Sequence, residues 1–211
     1  MQRVLCLIIG YAFGLFQTGY LYGKWKGIDI RTKGSGNSGS TNALRVMGKK
    51  AGAIVFLGDL LKVWAAMLVT LALFNGGVLH DARGELLALY TGLGTVLGHN
   101  YPFYLNFRGG KGIACTAALI IAMDWRITLI LLVIFIGTVV ITRFVSLGSI
   151  EVVIGFFLLW FVLGVTGHLA ISGSPQFPES CVVVFLWAAL AIWRHRANIR
   201  RLISGTENKL F

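Results

Sequence analysis

The stretch Gly34-Ser35-Gly36-Asn37-Ser38-Gly39-Ser40-Thr41-Asn42, followed by Arg45, sets nine small or polar residues in a chain that is 56% hydrophobic. Glycines let a backbone turn its amide hydrogens toward one point, and Ser, Thr and Asn add donors of short reach. That combination suits a phosphate: Gly34, Ser35, Gly36, Asn37, Gly39, Thr41 and Asn42 form the cradle and Arg45 supplies a cation. A flexible linker is the plainer reading. Linkers of that composition rarely carry two Asn and a Thr with basic residues on either side.

A second candidate is Gly109-Gly110-Lys111-Gly112. It is not a Walker A loop, because Leu105 stands where the leading glycine belongs and Gly112 replaces the Ser or Thr that holds magnesium. A nucleotide triphosphatase is disfavoured on that ground. A lysine between glycines still reaches a phosphate as a point charge. Ser146 with Ser149, and Arg194-His195-Arg196-Ala197-Asn198 near the C-terminus, complete the polar clusters. His195 is a general base, a phosphate donor or a surface histidine, and Asn198, three residues on, shares its helix face. His99, ahead of Asn100-Tyr101-Pro102, reads as a residue that ties a loop down. Asp59 and Lys62 can pair within one span; such groups at membrane depth either orient a bundle or serve function. Cys6, Cys115 and Cys181 lack C-x-x-C spacing, so packing is their expected role; neither a metal nor a cofactor is expected.

Elements to position these residues come from hydropathy. Mean hydropathy is +0.78, and apolar runs of about twenty residues, the length that crosses a bilayer, recur along the chain. The expectation is an all-α integral membrane protein, one polytopic domain over residues 1–211 with about seven transmembrane helices. The apolar segments run over about 4–22, 53–74, 86–98, 113–123, 127–141, 147–169 and 181–193, with a short interfacial helix over 45–50. The third and fourth are short or re-entrant. The third is spaced by Gly92, Gly94 and Gly98, which lets helix backbones approach closely in lipid. The net charge of +11 would suggest nucleic acid in a soluble protein, but 15 of the 19 Lys and Arg residues fall on one side of this topology. The positive-inside rule makes that side cytoplasmic, with the N-terminus outside and the C-terminus inside. The four polar clusters then gather on the cytoplasmic face.

Taken together, G-S-G-N-S-G-S-T-N with Arg45, G-H-N-Y-P…F-R-G-G-K-G, and R-H-R-A-N-I-R-R-L closing in G-T-E-N-K resemble the bacterial membrane acyl-phosphate:glycerol-3-phosphate acyltransferases, the PlsY family. The resemblance runs from the first span to the C-terminus. It implies acyl transfer from acyl phosphate to position 1 of glycerol 3-phosphate, giving lysophosphatidic acid and phosphate at a bacterial inner membrane. It also implies a seven-helix fold. Ser35, Arg45, Lys111, Ser146, His195 and Asn198 match that family's active-site positions. Expected partners are the two substrates, membrane lipid and a peripheral acyl-phosphate-forming enzyme. Two positions depart from the family pattern: Ala197 replaces an acid, and Ser40 an alanine.

Charge supports such a site. Two dianions roughly 6 Å apart repel by about 10 kcal/mol at an effective dielectric of about 20. At least two cations must offset this, and Arg45 and Lys111 are the candidates, with Arg194 or Arg196 in reserve. An acyl phosphate is already activated, so direct attack by the glycerol hydroxyl needs no covalent intermediate. Ser35 would position the hydroxyl, and amides near Gly110 or the Asn198 side chain would stabilise the oxyanion. The proton has two destinations, His195 and the departing phosphate, of which the phosphate is slightly favoured. Rival readings are an organic-phosphate transporter, which needs access from both faces, and an acyl-CoA-dependent acyltransferase, whose H-x-x-x-x-D pattern is absent.

Overall fold

A computed structural model describes residues 1–210. Its regular elements are α1 (Gln2–Gly14), α2 (Thr18–Trp25), α3 (Ser40–Met47), α4 (Lys49–Asn75), α5 (Ala82–Asn100), α6 (Ile113–Met123), α7 (Trp125–Thr142), α8 (Val145–Val165), α9 (Phe177–Arg194) and α10 (Arg196–Ile203), with 3-10 turns at Ile30–Thr32 and Phe103–Leu105. The chain forms two compact units: Met1–Leu79 with Leu87–Leu119, and His80–Leu86 with the chain from Ile120 onward.

The apolar segments emerge as helices, with altered ends. Among the described residues, five segments are long and apolar enough to cross a membrane: α1 with α2, then α4, α7, α8 and α9. The first is broken at Leu15–Gln17 rather than continuous. The short helix expected over 45–50 instead spans Ser40–Met47 and ends at Gly48, whose φ of 86° releases the chain into α4. The third segment is longer than its apolar run suggests. At 19 residues α5 is about 28 Å long, so it is not a half-helix. By contrast α6 keeps the expected 11 residues. Val133 and Ile141 on α7 are 71% and 84% exposed. Apolar surface of that extent is stable against lipid and not against water.

In the first unit, α1 and α5 cross through glycines. A Cβ on Gly10 would stand 2.0 Å from Thr91 O, one on Gly14 2.3 Å from Thr95 O, one on Gly94 2.3 Å from Leu7 O and one on Gly98 2.2 Å from Tyr11 O. Each helix thus contributes a G-x-x-x-G pair that brings backbones into direct contact. Gly98→Ala is expected to force these helices apart at a cost of about 2–3 kcal/mol. A lowered thermal midpoint in detergent checks this.

Gln17 sits at the α1–α2 break, 1% exposed. Its Nε2 donates to Gly14 O at 3.1 Å, Gly98 O at 3.3 Å and His99 O at 3.0 Å. The Gln17 side-chain amide at the break is therefore paired; unpaired in an apolar interior it would be costly. In the second unit, Asp124 caps α7 by accepting from Arg126 N at 2.8 Å and Ile127 N at 3.2 Å. Trp160 Nε1 donates to Ser180 Oγ at 2.9 Å and ties α8 to α9.

Candidate active site

The first glycine-rich loop runs into the N-terminus of α3. Its conformation is held by Asn42, 2% exposed. Asn42 Oδ1 accepts from Ser35 N at 2.9 Å, and Nδ2 donates toward Ile30 O, Lys33 O and Asn37 O at 3.1, 3.0 and 2.8 Å. Gly39 N donates to Asn37 Oδ1 at 2.9 Å and Gly36 N to Lys33 O at 3.0 Å. The amides of Ser35, Gly36 and Gly39 are thus engaged within the loop. These three amides therefore do not turn toward an anion as expected, because Asn side chains and a carbonyl of the chain itself take their hydrogens. Gly34 belongs to the same fold: at φ 57°, a Cβ there would meet Asn42 Oδ1 at 2.3 Å. What the loop presents outward is the exposed Ser35, with half-buried Thr41 in the first turn of α3 and exposed Arg45 in its last. Nearby, Asp29 bonds Arg31 at 2.9 Å, which holds its carboxyl below the usual range.

The second loop, Gly109–Gly112, stands directly ahead of α6. Gly112 has φ 79° and its carbonyl accepts from Thr116 N at 2.8 Å. A helix N-terminus favours negative charge, and Lys111 lies two residues before this one. Gly109 N donates to Asn100 O at 3.2 Å and Gly110 N to His99 O at 3.0 Å. The oxyanion role expected of amides near Gly110 is therefore not supplied by these two, whose hydrogens go to carbonyls at the end of α5. Their lack of side chains matters instead. A Cβ on Gly109 would stand 2.0 Å from His99 O, and one on Gly110 2.0 Å from His99 Nε2.

His99 itself is 3% exposed and belongs to a buried cluster in the same unit. Asp59, His99 and Cys115 offer donor atoms all within 4.8 Å of one another. Lys62 Nζ bonds two of them, Asp59 Oδ1 at 2.8 Å and His99 Nδ1 at 2.7 Å. A divalent cation would have to compete with that ammonium for the same donors.

In the second unit, Ser146, on the first turn of α8, is brought to the C-terminal segment. Glu207 Oε1 accepts from Ser146 Oγ at 3.0 Å and from Asn198 Nδ2 at 2.7 Å, while Oε2 accepts from Arg201 Nε at 2.8 Å. Leu210 N donates to Arg143 O at 2.8 Å and keeps the tail against the end of α7. His195, 2% exposed, marks the junction of α9 and α10. Its Nδ1 lies 2.8 Å from Ala191 O, so in the neutral ring the proton is on Nδ1 and Nε2 carries the lone pair. Ser149 instead donates to Val145 O at 2.7 Å, within its own helix.

Sequence reasoning gave Glu207 no role, although it stands in the closing G-T-E-N-K; a lone carboxylate among Arg200, Arg201 and Lys209 was the available signal. Gln17, a polar residue inside an apolar run, was missed in the same way. Glu207→Ala is expected to release the tail, lower the thermal midpoint and cut activity more than tenfold. Thermal unfolding and initial rates, read together, check it.

Long, apolar, lipid-exposed helices define an integral membrane protein, and two of its helices are preceded by glycine-rich loops. The chain matches the model of the family "Glycerol-3-phosphate acyltransferase" over residues 4–205 and belongs to that family. It is 40% identical over 211 residues to the glycerol-3-phosphate acyltransferase of Thermoanaerobacter sp. (strain X514), covering 100% of this chain and 96% of the relative. It is 40% identical over 215 residues to that of Clostridioides difficile (strain 630), covering 98% and 95%. Among solved structures it is similar to PlsY (YgiH), an integral membrane glycerol 3-phosphate acyltransferase, in its glycerol 3-phosphate form. There the TM-score is 0.81 at 34% identity, covering 99% of this chain and 96% of that one.

Proposed function

We propose that the chain transfers a fatty acyl group from an acyl phosphate to the 1-hydroxyl of glycerol 3-phosphate, giving lysophosphatidic acid and inorganic phosphate. One observation carries this reading. Two glycine-rich loops of the same compact unit each run into a helix N-terminus, and each has a basic residue close in sequence, Arg45 in the last turn of α3 and Lys111 two residues ahead of α6. Two phosphate-handling elements suit a reaction with a phosphate on both substrates. Crystal forms of PlsY with glycerol 3-phosphate and with lysophosphatidic acid support the acceptor and product.

In this mechanism Arg45 and Lys111 offset the charge of the two phosphates, and Ser35 positions the glycerol hydroxyl. The hydroxyl oxygen attacks the acyl carbon, the bond from that carbon to the phosphate oxygen breaks, and the proton leaves with the phosphate. Asn198, its amide oriented by Glu207, stabilises the oxyanion, and Ser146 shares the same carboxylate. His195 is the rival proton acceptor; its Nδ1–H bond to Ala191 O leaves Nε2 basic. The enzyme works at the bacterial inner membrane with the basic loops toward the cytoplasm, in the first step of phospholipid synthesis. Donor dependence tests the reading. Purified protein in detergent, given glycerol 3-phosphate, is expected to form lysophosphatidic acid from acyl phosphate far faster than from acyl-CoA of matched chain length. Faster turnover with acyl-CoA would overturn it.

A further inference from the structure

Asp59 and Lys62 belong to neither glycine-rich loop, yet they are 1% and 5% exposed in the middle of α4. The Lys62 ammonium has three hydrogens, and Asp59 Oδ1 at 2.8 Å, Phe16 O at 3.0 Å and His99 Nδ1 at 2.7 Å lie within reach of them, with the Cys115 thiol beside it. Asp59 Oδ1 also accepts from Thr18 Oγ1 at 3.3 Å. An ammonium has no lone pair, so His99 Nδ1 must accept and the neutral ring carries its proton on Nε2. That is the nitrogen packed against Gly110, where a Cβ would stand 2.0 Å away. On its other side His99 holds the same residue through its carbonyl, which accepts from Gly110 N at 3.0 Å. Lys111 is the next residue. A continuous path therefore runs from Asp59 through Lys62 and His99 to the turn that carries Lys111.

A buried ion pair is weak evidence for stability, since desolvating two charges offsets their attraction. Specifying one geometry is the better-supported use of such a pair. We infer that Lys62, anchored by Asp59, is a positioning residue for Lys111: it fixes the tautomer and orientation of His99, and His99 fixes the Gly109–Gly110 turn. The inference rests on the reading of Lys111 as a substrate-phosphate cation. Misplacing such a cation by about 1 Å is enough to cost on the order of 100-fold in rate.

The test is a mutant cycle on the full-length protein in detergent. Asp59→Asn and Lys62→Met are made together so that no lone charge stays buried, and Lys111→Met is made alone and on that pair. The pair variant is expected to elute and melt close to the wild type yet lose at least about 30-fold in kcat/KM. Adding Lys111→Met should then bring the total loss to within about threefold of that of Lys111→Met alone, because both changes act through one cation. A pair variant within threefold of the wild type, or losses that multiply in full, overturns the inference. Should the pair variant not fold, His99→Asn, which keeps an acceptor for Lys62 but withdraws the edge against Gly110, replaces it in the same cycle with the same expected non-additivity. A Lys111→Met variant that loses less than fivefold by itself removes the reading of Lys111 and the inference with it. A costly Lys111→Met with full multiplication removes the inference alone.

Discussion

Lys111→Met is expected to lower kcat/KM for acyl transfer by about 100- to 1000-fold while the protein folds normally. Methionine is unbranched and one atom shorter than lysine, and it removes the ammonium with its charge and its three donors. Each factor of ten corresponds to about 1.4 kcal/mol of lost transition-state stabilisation, and a preorganised donor aimed at developing charge is worth about 3–4 kcal/mol. The residue is half-buried at the end of a structured turn, so little packing is lost with the charge. Lys111→Arg should recover only part of the rate, because a planar fork does not replace a point charge in a turn between two glycines. Initial rates with acyl phosphate and glycerol 3-phosphate check both variants. A loss below fivefold would separate Lys111 from the chemistry.

Gly110→Ala is the second large effect, with at least a 100-fold loss of activity expected from one added methyl. Its Cβ would lie 2.0 Å from His99 Nε2 and 2.8 Å from Cδ2 of the same ring. A free imidazole could swing away. This one cannot, because Lys62 Nζ holds Nδ1 at 2.7 Å and the residue is 3% exposed. The turn must therefore move, and Lys111 with it. Gly137→Ala in α7 is the matched control, since nothing lies within 4 Å of a Cβ there. It is expected to leave both activity and thermal midpoint unchanged.

These two predictions show how much the residues alone disclose. A bilayer demands long apolar helices, so α4, α7, α8 and α9 could be located from hydropathy with ends a few residues off. The break at Leu15–Gln17 could not, because the groups that make Gln17 tolerable there, Gly98 O and His99 O, lie some eighty residues away in sequence. The length of α5 was hidden for a related reason: its first turn, Ala82–Glu85, is polar and reads as a connection. Ser40 and Thr41 looked like loop because short polar side chains mark caps and turns as readily as first helical turns.

The site divides along the same line. Glycine spacing and the basic residues beside it were enough to single out Ser35, Arg45 and Lys111. What the loop amides do was not legible, since Asn42 and Asn37 capture them only once the chain has closed on itself. Glu207 escaped because a carboxylate's role depends on which donors reach it, and Ser146 comes to it across 61 residues. The ion pair of Asp59 and Lys62 was expected from their spacing, but its connection to His99 needs α5 in place.

The central claim is that Arg45 and Lys111 hold the substrates' phosphates. Equilibrium binding of glycerol 3-phosphate to the wild type, to Arg45→Ala, to Lys111→Ala and to the double variant, by calorimetric titration in detergent at fixed ionic strength, tests it most directly. The double variant is expected to bind at least 100-fold more weakly than the wild type, about 2.7 kcal/mol, and at least one single variant at least tenfold more weakly. Unchanged affinity in the double variant would contradict the account.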